Sequence, residues 1–433
     1  VFFSLRLSFV NLRLFKHAID VVRGKYGSKD DPGEVTHFQS LSAAVSGTVG
    51  LGNIAGVAIA VLLGGPGAVI WMMIAAFVGM SAKFAEVTLG HHYRHIDENG
   101  KVSGGAFHYL EEGLAEANLP KLGKILASAF AVCCILGALG GGNMFQSSNA
   151  VSLVTNTFPA VGSADWAIAL VLAISVGTVL IGGIKRIAIV AEMLVPFMAV
   201  LYVTAALVVI IVNIDGLFAA IETMFASAFN FEAAGGGAVG AIINGFKRAA
   251  FSNEAGLGSA PIAHAAAKTK EPVSEGCVAL LEPFIDTIVI CFLTGILVTI
   301  TGVYVDVADG TSGIVMTSNA FTTVIGGFEY VLSVAVLLFA FTTMITWSYY
   351  GERCWEYLFG SKRVKIYYII FCFATFIGGA LDNIALVVDL SDLFMLAMAI
   401  PNLIGLYILS GKVKSMMDDY TQRLKSNKLV TRD

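Results

Sequence analysis

The chain has 433 residues, of which 57% are hydrophobic and 13% charged, with mean hydropathy +0.79 and a formal net charge of −4. The charged share is about half the ~25% usual in soluble domains. Apolar runs such as Gly67–Ala82, Ile187–Val212 and Thr287–Val305 outlast the roughly 4–8 residues of a buried strand and approach the ~20 of a spanning helix, which excludes a soluble α/β protein.

In chain order, the apolar stub from Val1 to Leu12 is too short to span and lacks a signal-peptide pattern. It reads as the inner end of an extra N-terminal helix, followed by a cytoplasmic segment to residue 40. Ten spanning helices are then expected: Leu41–Leu63, Pro66–Gly90, Lys121–Thr155, Asp165–Gly183, Lys185–Asn213, Gly236–Ala267, Ser274–Tyr304, Phe328–Phe359, Val364–Leu381 and Ile384–Ser410. Amphipathic pieces at Gly105–Ala117, Gly216–Phe229 and Ser312–Val324 read as interfacial. The six cysteines lie in apolar context without CxxC or Cys/His spacing, and the seven histidines show no metal spacing. Both sets read as ordinary helix and loop residues.

Threading these helices sends every basic residue outside a predicted helix, from Arg6 and Lys29 to Arg432, to one side. Lys83, Lys247 and Arg248 lie within helices, and the opposite loops carry only acids: Asp165, Asp215, Glu232, Asp306 and Asp309. Positive charge stays cytoplasmic, so both termini are expected inside a multi-pass plasma-membrane protein. The basic Lys412–Arg432 tail reads as cytoplasmic flank charge, with no nucleic-acid partner.

Five helices (residues 41–213) precede a connection at 214–235 and five (236–411) follow it, with a tail at 412–433. An odd number per half inserts the second half upside down. Each half also begins with a glycine-broken helix: Ser46-Gly47-Thr48-Val49-Gly50-Leu51-Gly52-Asn53 and Phe251-Ser252-Asn253-Glu254-Ala255-Gly256-Leu257-Gly258. Unwound backbone at membrane depth survives only in protein or beside a cavity. Paired breaks in corresponding halves point to a secondary transporter's binding site.

The chemistry of the first break suits two ligands. Amides at Leu51, Gly52 and Asn53 open a half-helix whose positive end attracts a carboxylate. Carbonyls near Ser46–Val49, with the Thr48 hydroxyl and Asn53 amide, offer the hard oxygens a sodium ion takes. At the second break, carbonyls around Phe251–Asn253 suit an ammonium group, Ser252 adds a hydroxyl, and Phe251 can close over a small side chain. Glu254 is an intramembrane acid, functional by default; pairing with Lys247 or Arg248, cation binding and proton carriage all stay open. Asn143 and Gln146 follow a Gly140–Gly142 run, and Thr342, Thr343 and Thr346 lie near one helical face beside Trp347. Lys83 and Glu86 are spaced to pair, and Glu192, Glu282 and Asp286 are acids without an evident partner.

Gly47–Ala60, Gly64–Met72, Ser252–Ala263 and Thr342–Gly351 resemble the alanine or glycine:cation symporter family, and the likeness runs over nearly the whole chain. Ile70 and Met73 stand where that family often has aromatic residues. The resemblance implies an all-α, leucine-transporter-like fold of two inverted five-helix repeats, a broken helix leading each, plus a partial extra N-terminal helix. It also implies a sodium-coupled, non-enzymatic importer of small neutral amino acids, alanine or glycine, working in the lipid bilayer as a monomer. Val49-Gly50-Leu51-Gly52-Asn53 further resembles the first helix of neurotransmitter:sodium symporters, but Ile54-Ala55-Gly56 lacks their arginine-phenylalanine-proline continuation, so their gate arginine does not carry over.

The expected substrate pocket is therefore Thr48, Gly50, Leu51, Gly52, Asn53, Asn143, Gln146, Phe251, Ser252, Asn253, Thr343 and Trp347. The expected sodium set is Ser46, Thr48, Val49, Asn53, Thr342, Thr343 and Thr346. A proton-coupled carrier switched by Glu254, and a non-transporting channel or sensor of the same fold, are the competing readings. No nucleophile–base pair or metal motif supports an enzyme.

Overall fold

In hydrocarbon, backbone N–H and C=O groups must pair within their own segment, and the computed structural model satisfies this with helices. Its described residues are 1–433 apart from 29, 162–163, 181–182, 231–236, 306, 309, 382–383 and 430–433. The expected charges Lys29, Glu232, Asp306, Asp309 and Arg432 lie outside the described residues, as does the end of the connection before the second half.

Seven helices among the described residues are long and apolar enough to cross a membrane: Gly67–His92, Pro120–Thr157, Ile184–Val212, Pro272–Thr301, Phe328–Phe359, Ser361–Ala380 and Ala385–Lys425. An eighth span is the pair His37–Thr48 and Gly52–Gly64, bent by 50° at the first glycine step. Helices Asp165–Leu180 and Gly237–Asn253 are shorter. The first broken helix starts at His37 because Thr36 and Gln39 form a reciprocal capping box.

Several boundaries differ from expectation for identifiable reasons. The last helix runs on to Lys425 through the stretch expected as a tail, carried by the pairs Lys414–Asp418 and Asp419–Arg423, four residues apart. The N-terminal stub is two short helices, Phe2–Arg6 and Val10–Arg13, parted by left-handed Ser8 and Phe9, and pinned by Asn11 Nδ2 donating to Phe77 O at 3.0 Å. The helix Gly313–Thr322, expected at the interface, is mostly buried against the first break, where Thr317 Oγ1 donates to Ile54 O at 3.0 Å. Among the described residues four stretches form π-helical turns, at Gly52–Gly56, Tyr109–Gly113, Gly140–Met144 and Phe284–Cys291, an irregularity frequent at functional sites. All six cysteines are free thiols.

Close helix approach depends on glycine. A Cβ on Gly67 would lie 2.2 Å from Ala228 N and 2.5 Å from Ala228 Cα, backbone that cannot turn aside, whereas one on Gly240 would meet nothing within 4 Å among the described residues. Gly67→Ala is therefore expected to cost about 1–3 kcal/mol by overpacking, and Gly240→Ala to be neutral or slightly stabilising. Thermal unfolding of the purified protein in detergent checks this; equal midpoints for the two variants would refute the close approach.

Candidate functional site

The first broken helix leaves the α-helical path after Thr48, with Val49 at ψ 89°, and resumes as the π turn Gly52–Gly56. Gly50 is there for room, since a Cβ would sit 2.4 Å from Thr343 Oγ1 and 3.2 Å from Gln146 Oε1. Amides freed at the step are met by side chains: Gly50 N donates to Asn53 Oδ1 at 2.8 Å and Leu51 N to Gln146 Oε1 at 3.1 Å. Carbonyls on the other half-helix are met from Phe328–Phe359. Thr343 Oγ1 donates to Ser46 O at 3.0 Å and Trp347 Nε1 to Gly47 O at 3.2 Å. Ser46 Oγ donates to Thr342 O at 3.0 Å and accepts from Thr346 Oγ1 at 3.1 Å. Ser46, Thr342, Thr343 and Thr346 thus form one buried oxygen cluster beside Val49.

The second broken helix, Gly237–Asn253, ends where Glu254 turns left-handed (φ 58°), and Gly256 (φ 89°) and Gly258 (φ 83°) complete the turn. It resumes only as the short helix Ala260–His264, shorter than the expected run to Ala267. Beyond it, the Arg94 guanidinium donates to the carbonyls of Ala265 and Ala267, both at 2.6 Å, and to those of Pro32 and Thr269, both at 2.8 Å. Burial draws that guanidinium down to about 10, still charged at neutral pH.

The two breaks meet at Phe251. A Cβ on Gly52 would lie 3.4 Å from Phe251 Cδ1 and one on Gly141 3.2 Å from its Cε2; Phe145 packs edge-on, 4.9 Å between ring centres. The Arg248 guanidinium lies 5.1 Å from the Phe251 ring centre. Below the ring, the buried Asp286 carboxylate accepts from Asn53 Nδ2 at 2.5 Å, Ser252 Oγ at 2.8 Å and Thr287 Oγ1 at 2.6 Å. One acid therefore bonds to both breaks. Cys291 Sγ lies 3.3 Å from Asn53 Nδ2 and 3.2 Å from Ser252 Oγ, so this cysteine packs against the same group.

Gly50, Leu51, Gly52, Asn53, Gln146, Phe251, Ser252, Thr343 and Trp347 are brought together, while three expected site residues stand apart. Thr48 spends its hydroxyl on its own helix, on Ala44 O (3.4 Å) and Val45 O (3.3 Å). Asn143 donates across to Phe371 O at 2.7 Å. Asn253 has its carbonyl taken by Lys83 Nζ at 2.8 Å and its amide donating to Thr287 Oγ1 at 2.9 Å. Asp286 was legible only as an acid in an apolar run; its place between the breaks is a tertiary fact.

The charged pairings also differ from the local ones expected. Lys83 faces Glu282 (3.4 Å), while Glu86 accepts from Asn402 Nδ2 at 2.8 Å. Lys247 and Arg248 both pair with Asp392 on the last helix, and Glu254, carried past the break, accepts from Ser259. Glu192 accepts from Gln39 Nε2 at 3.0 Å. Among the histidines, His95, His108 and Glu112 bring three donor atoms within 4.8 Å of one another, which spacing did not reveal. Burial, then His95, holds His108 down to about 4. The two rings stack 4.4 Å apart, and His95 pairs with Glu112 at 2.7 Å with both more than a third exposed.

The family model described as the sodium:alanine symporter family matches residues 1–432. The chain is 43% identical over 418 residues to the sodium/alanine symporter AgcS of Methanococcus maripaludis, covering 96% of this chain and 90% of that one. It is 38% identical over 432 residues to the probable sodium/glutamine symporter GlnT of Bacillus subtilis, covering 99% and 87%. The fold is that of MhsT, solved in complex with L-phenylalanine, with TM-score 0.60 and 14% identity over 87% of this chain and 89% of that one. These relatives are carriers rather than enzymes. With its family matched end to end and its spans in place, the chain is a multi-pass membrane transporter that belongs to the sodium:alanine symporter family.

Proposed function

We propose that the chain imports small neutral amino acids, alanine or glycine first, together with sodium. The observation that carries this reading is the meeting of the two breaks, Gly52 against Phe251, with Asp286 bonded to Asn53 on one and Ser252 on the other. A zwitterion needs donors for its carboxylate and acceptors for its ammonium a few ångströms apart. The Leu51 amide, which already donates to a side-chain oxygen of Gln146, serves the carboxylate with its neighbours Gly52 and Asn53. The carbonyls of Phe251 and Ser252, beside the negative Asp286, serve the ammonium; the Asn253 carbonyl, held by Lys83, drops out. A Cβ on Gly50, Gly52, Gly141 or Gly142 would stand 3.4 Å or less from Thr343, Phe251, Met395 or Trp347, so the walls close tightly, which favours a small side chain.

Sodium takes the Ser46–Val49 carbonyl end and the Thr342, Thr343 and Thr346 oxygens, bridging the first break to Phe328–Phe359. Both ligands then touch more than one helix, and differential contacts of this kind bias a carrier toward closure. The names of AgcS, a sodium/alanine symporter, and GlnT, a probable sodium/glutamine symporter, favour sodium as the coupling ion. In this reading residues 41–213 and 236–411 are inverted repeats around the site, the basic side and both termini are cytoplasmic, and one chain suffices. A proton-coupled alternative keeps one observation in its favour: Glu254 is buried and its Oε1 has no hydrogen-bond partner among the described residues.

Uptake of a panel of labelled amino acids into proteoliposomes, with and without a sodium gradient, tests the reading. Alanine or glycine uptake is expected to require sodium; uptake driven by a proton gradient in sodium-free buffer would transfer the coupling role to Glu254, and absence of counterflow would leave a sensor. Asn53→Ala and Thr343→Ala are each expected to lower sodium-stimulated uptake about tenfold or more, the loss of at least one charge-assisted contact. Undiminished uptake in both would sink the site assignment. Asp286→Asn, which keeps the shape and removes the charge, is expected to raise the half-saturating amino-acid concentration about tenfold; an unchanged value would remove Asp286 from the pocket.

A further inference from the structure

Five ionisable side chains that the proposed site does not use form one buried chain. Lys83, on the second break's Asn253 carbonyl, lies 3.4 Å from Glu282 Oε1. Glu282 Oε2 is 3.4 Å from His264 Nε2, and His264 Nδ1 is 2.6 Å from Glu275 Oε1. Glu275 Oε2 is 2.5 Å from His37 Nδ1, and its Oε1 also accepts from Ser40 at 2.6 Å. His37 is 5% exposed and the other four 0%. The chain ends at the edge of the protein, because Thr36 and Phe38 on either side of His37 are exposed.

Each ring nitrogen of His264 faces a glutamate oxygen. An ionised carboxylate only accepts, so with Glu275 and Glu282 ionised both nitrogens carry hydrogen and the side chain is an imidazolium. The charges around it are Glu275 and Glu282 on Pro272–Thr301, Lys83 on Gly67–His92 and His37 on the first broken helix. Glu86 and Glu254 act on Lys83, and His91 and Arg94 on Glu275. Without its proton, His264 would turn a lone pair toward a buried carboxylate and leave Glu275 and Glu282 under-compensated. A dry interior does not tolerate that, whereas a hydrated one does.

We infer that His264 is a proton-binding site separate from the sodium and amino-acid site, loaded from the cytoplasmic edge through His37 and Glu275, and that the closed arrangement of the cytoplasmic half forms only when it is occupied. The step is a relay in which each transfer breaks one N–H or O–H bond and forms another. Hydronium protonates the outer nitrogen of His37, and the Nδ1 proton of His37 passes to Glu275 Oε2. The carboxyl turns and that proton passes to His264 Nδ1, leaving His37 in its other neutral tautomer until its ring turns back. This rests on the proposed carrier function and on the basic side being cytoplasmic. Opening toward the cytoplasm wets the chain; closing again requires the proton back, so cytoplasmic alkalinity slows the return of the carrier.

The test is sodium-driven uptake of labelled alanine into proteoliposomes at fixed external pH, with internal pH varied from about 6 to about 9. The initial rate is expected to fall at least about threefold across that range. His264→Gln is expected to flatten the profile while leaving the half-saturating sodium concentration unchanged. His264→Gln/Glu275→Gln, which removes opposite charges together, does the same if the single variant is unstable. A flat profile in the wild type, or a wild-type slope in either variant, overturns the inference. Loss of sodium-driven uptake at every pH would instead overturn the carrier reading, so the two failures are distinguishable.

Discussion

The backbone hydrogen-bond ladder is broken twice at membrane depth, and the rest of the structure is arranged around repairing those breaks. Each unpaired amide or carbonyl left in a dry interior costs about 1–3 kcal/mol, against a net stability of only about 5–15 kcal/mol for a typical protein. Two unassisted interruptions would be ruinous. The repair comes from other helices: Gln146 from Pro120–Thr157, Thr343 and Trp347 from Phe328–Phe359, Lys83 and Arg94 from Gly67–His92 and its end. Helix packing here follows from backbone chemistry as much as from apolar burial.

The repairs require close approach, and this explains where the glycines fall. At Gly50 and Gly142 a Cβ would stand 2.4 Å from Thr343 Oγ1 and 2.2 Å from Trp347 Cγ, the side chains that serve the first break. Glycine thus has two tasks in one segment. It lets the chain leave the helix, and it lets the side chain that compensates for leaving come within reach.

The sequence made the class, most of the ten expected spans and both breaks legible, because apolar runs and glycine clusters are local signals; the helices Asp165–Leu180 and Gly237–Asn253 come out shorter than expected. Residues within the first break, or on one face opposite it, were also legible: Asn53, Gln146 and the threonines at 342, 343 and 346. Pairings between distant charges were not. Lys83 and Glu86 suit an ion pair by spacing, yet Glu282 and Asn402 outbid that local contact across helices. Arg248 and Glu254 lie close in sequence, yet a left-handed turn at Glu254 separates them and Asp392 receives the arginine. Asp286 and His264 carry no periodic or motif signal, since each acquires meaning only from what another helix sets beside it.

The two breaks differ in how they are repaired, and that difference bears on how a carrier can work. The first is met by neutral side chains, Asn53, Gln146, Thr343 and Trp347, whose individual contributions are about 0.5–1.5 kcal/mol. In the proposed cycle such partners are exchanged for a carboxylate or a sodium ion at little net cost. The second is met by charge, Lys83 on the Asn253 carbonyl and Arg94 on the carbonyls beyond the short helix. Those contacts are stronger and lead away from the pocket into a buried chain of acids and histidines. In the proposed cycle the first break is therefore the part that trades partners with ligand, and the second is held as a unit whose hold is electrostatic. A site assembled this way can release its cargo without unravelling the helices that carry it.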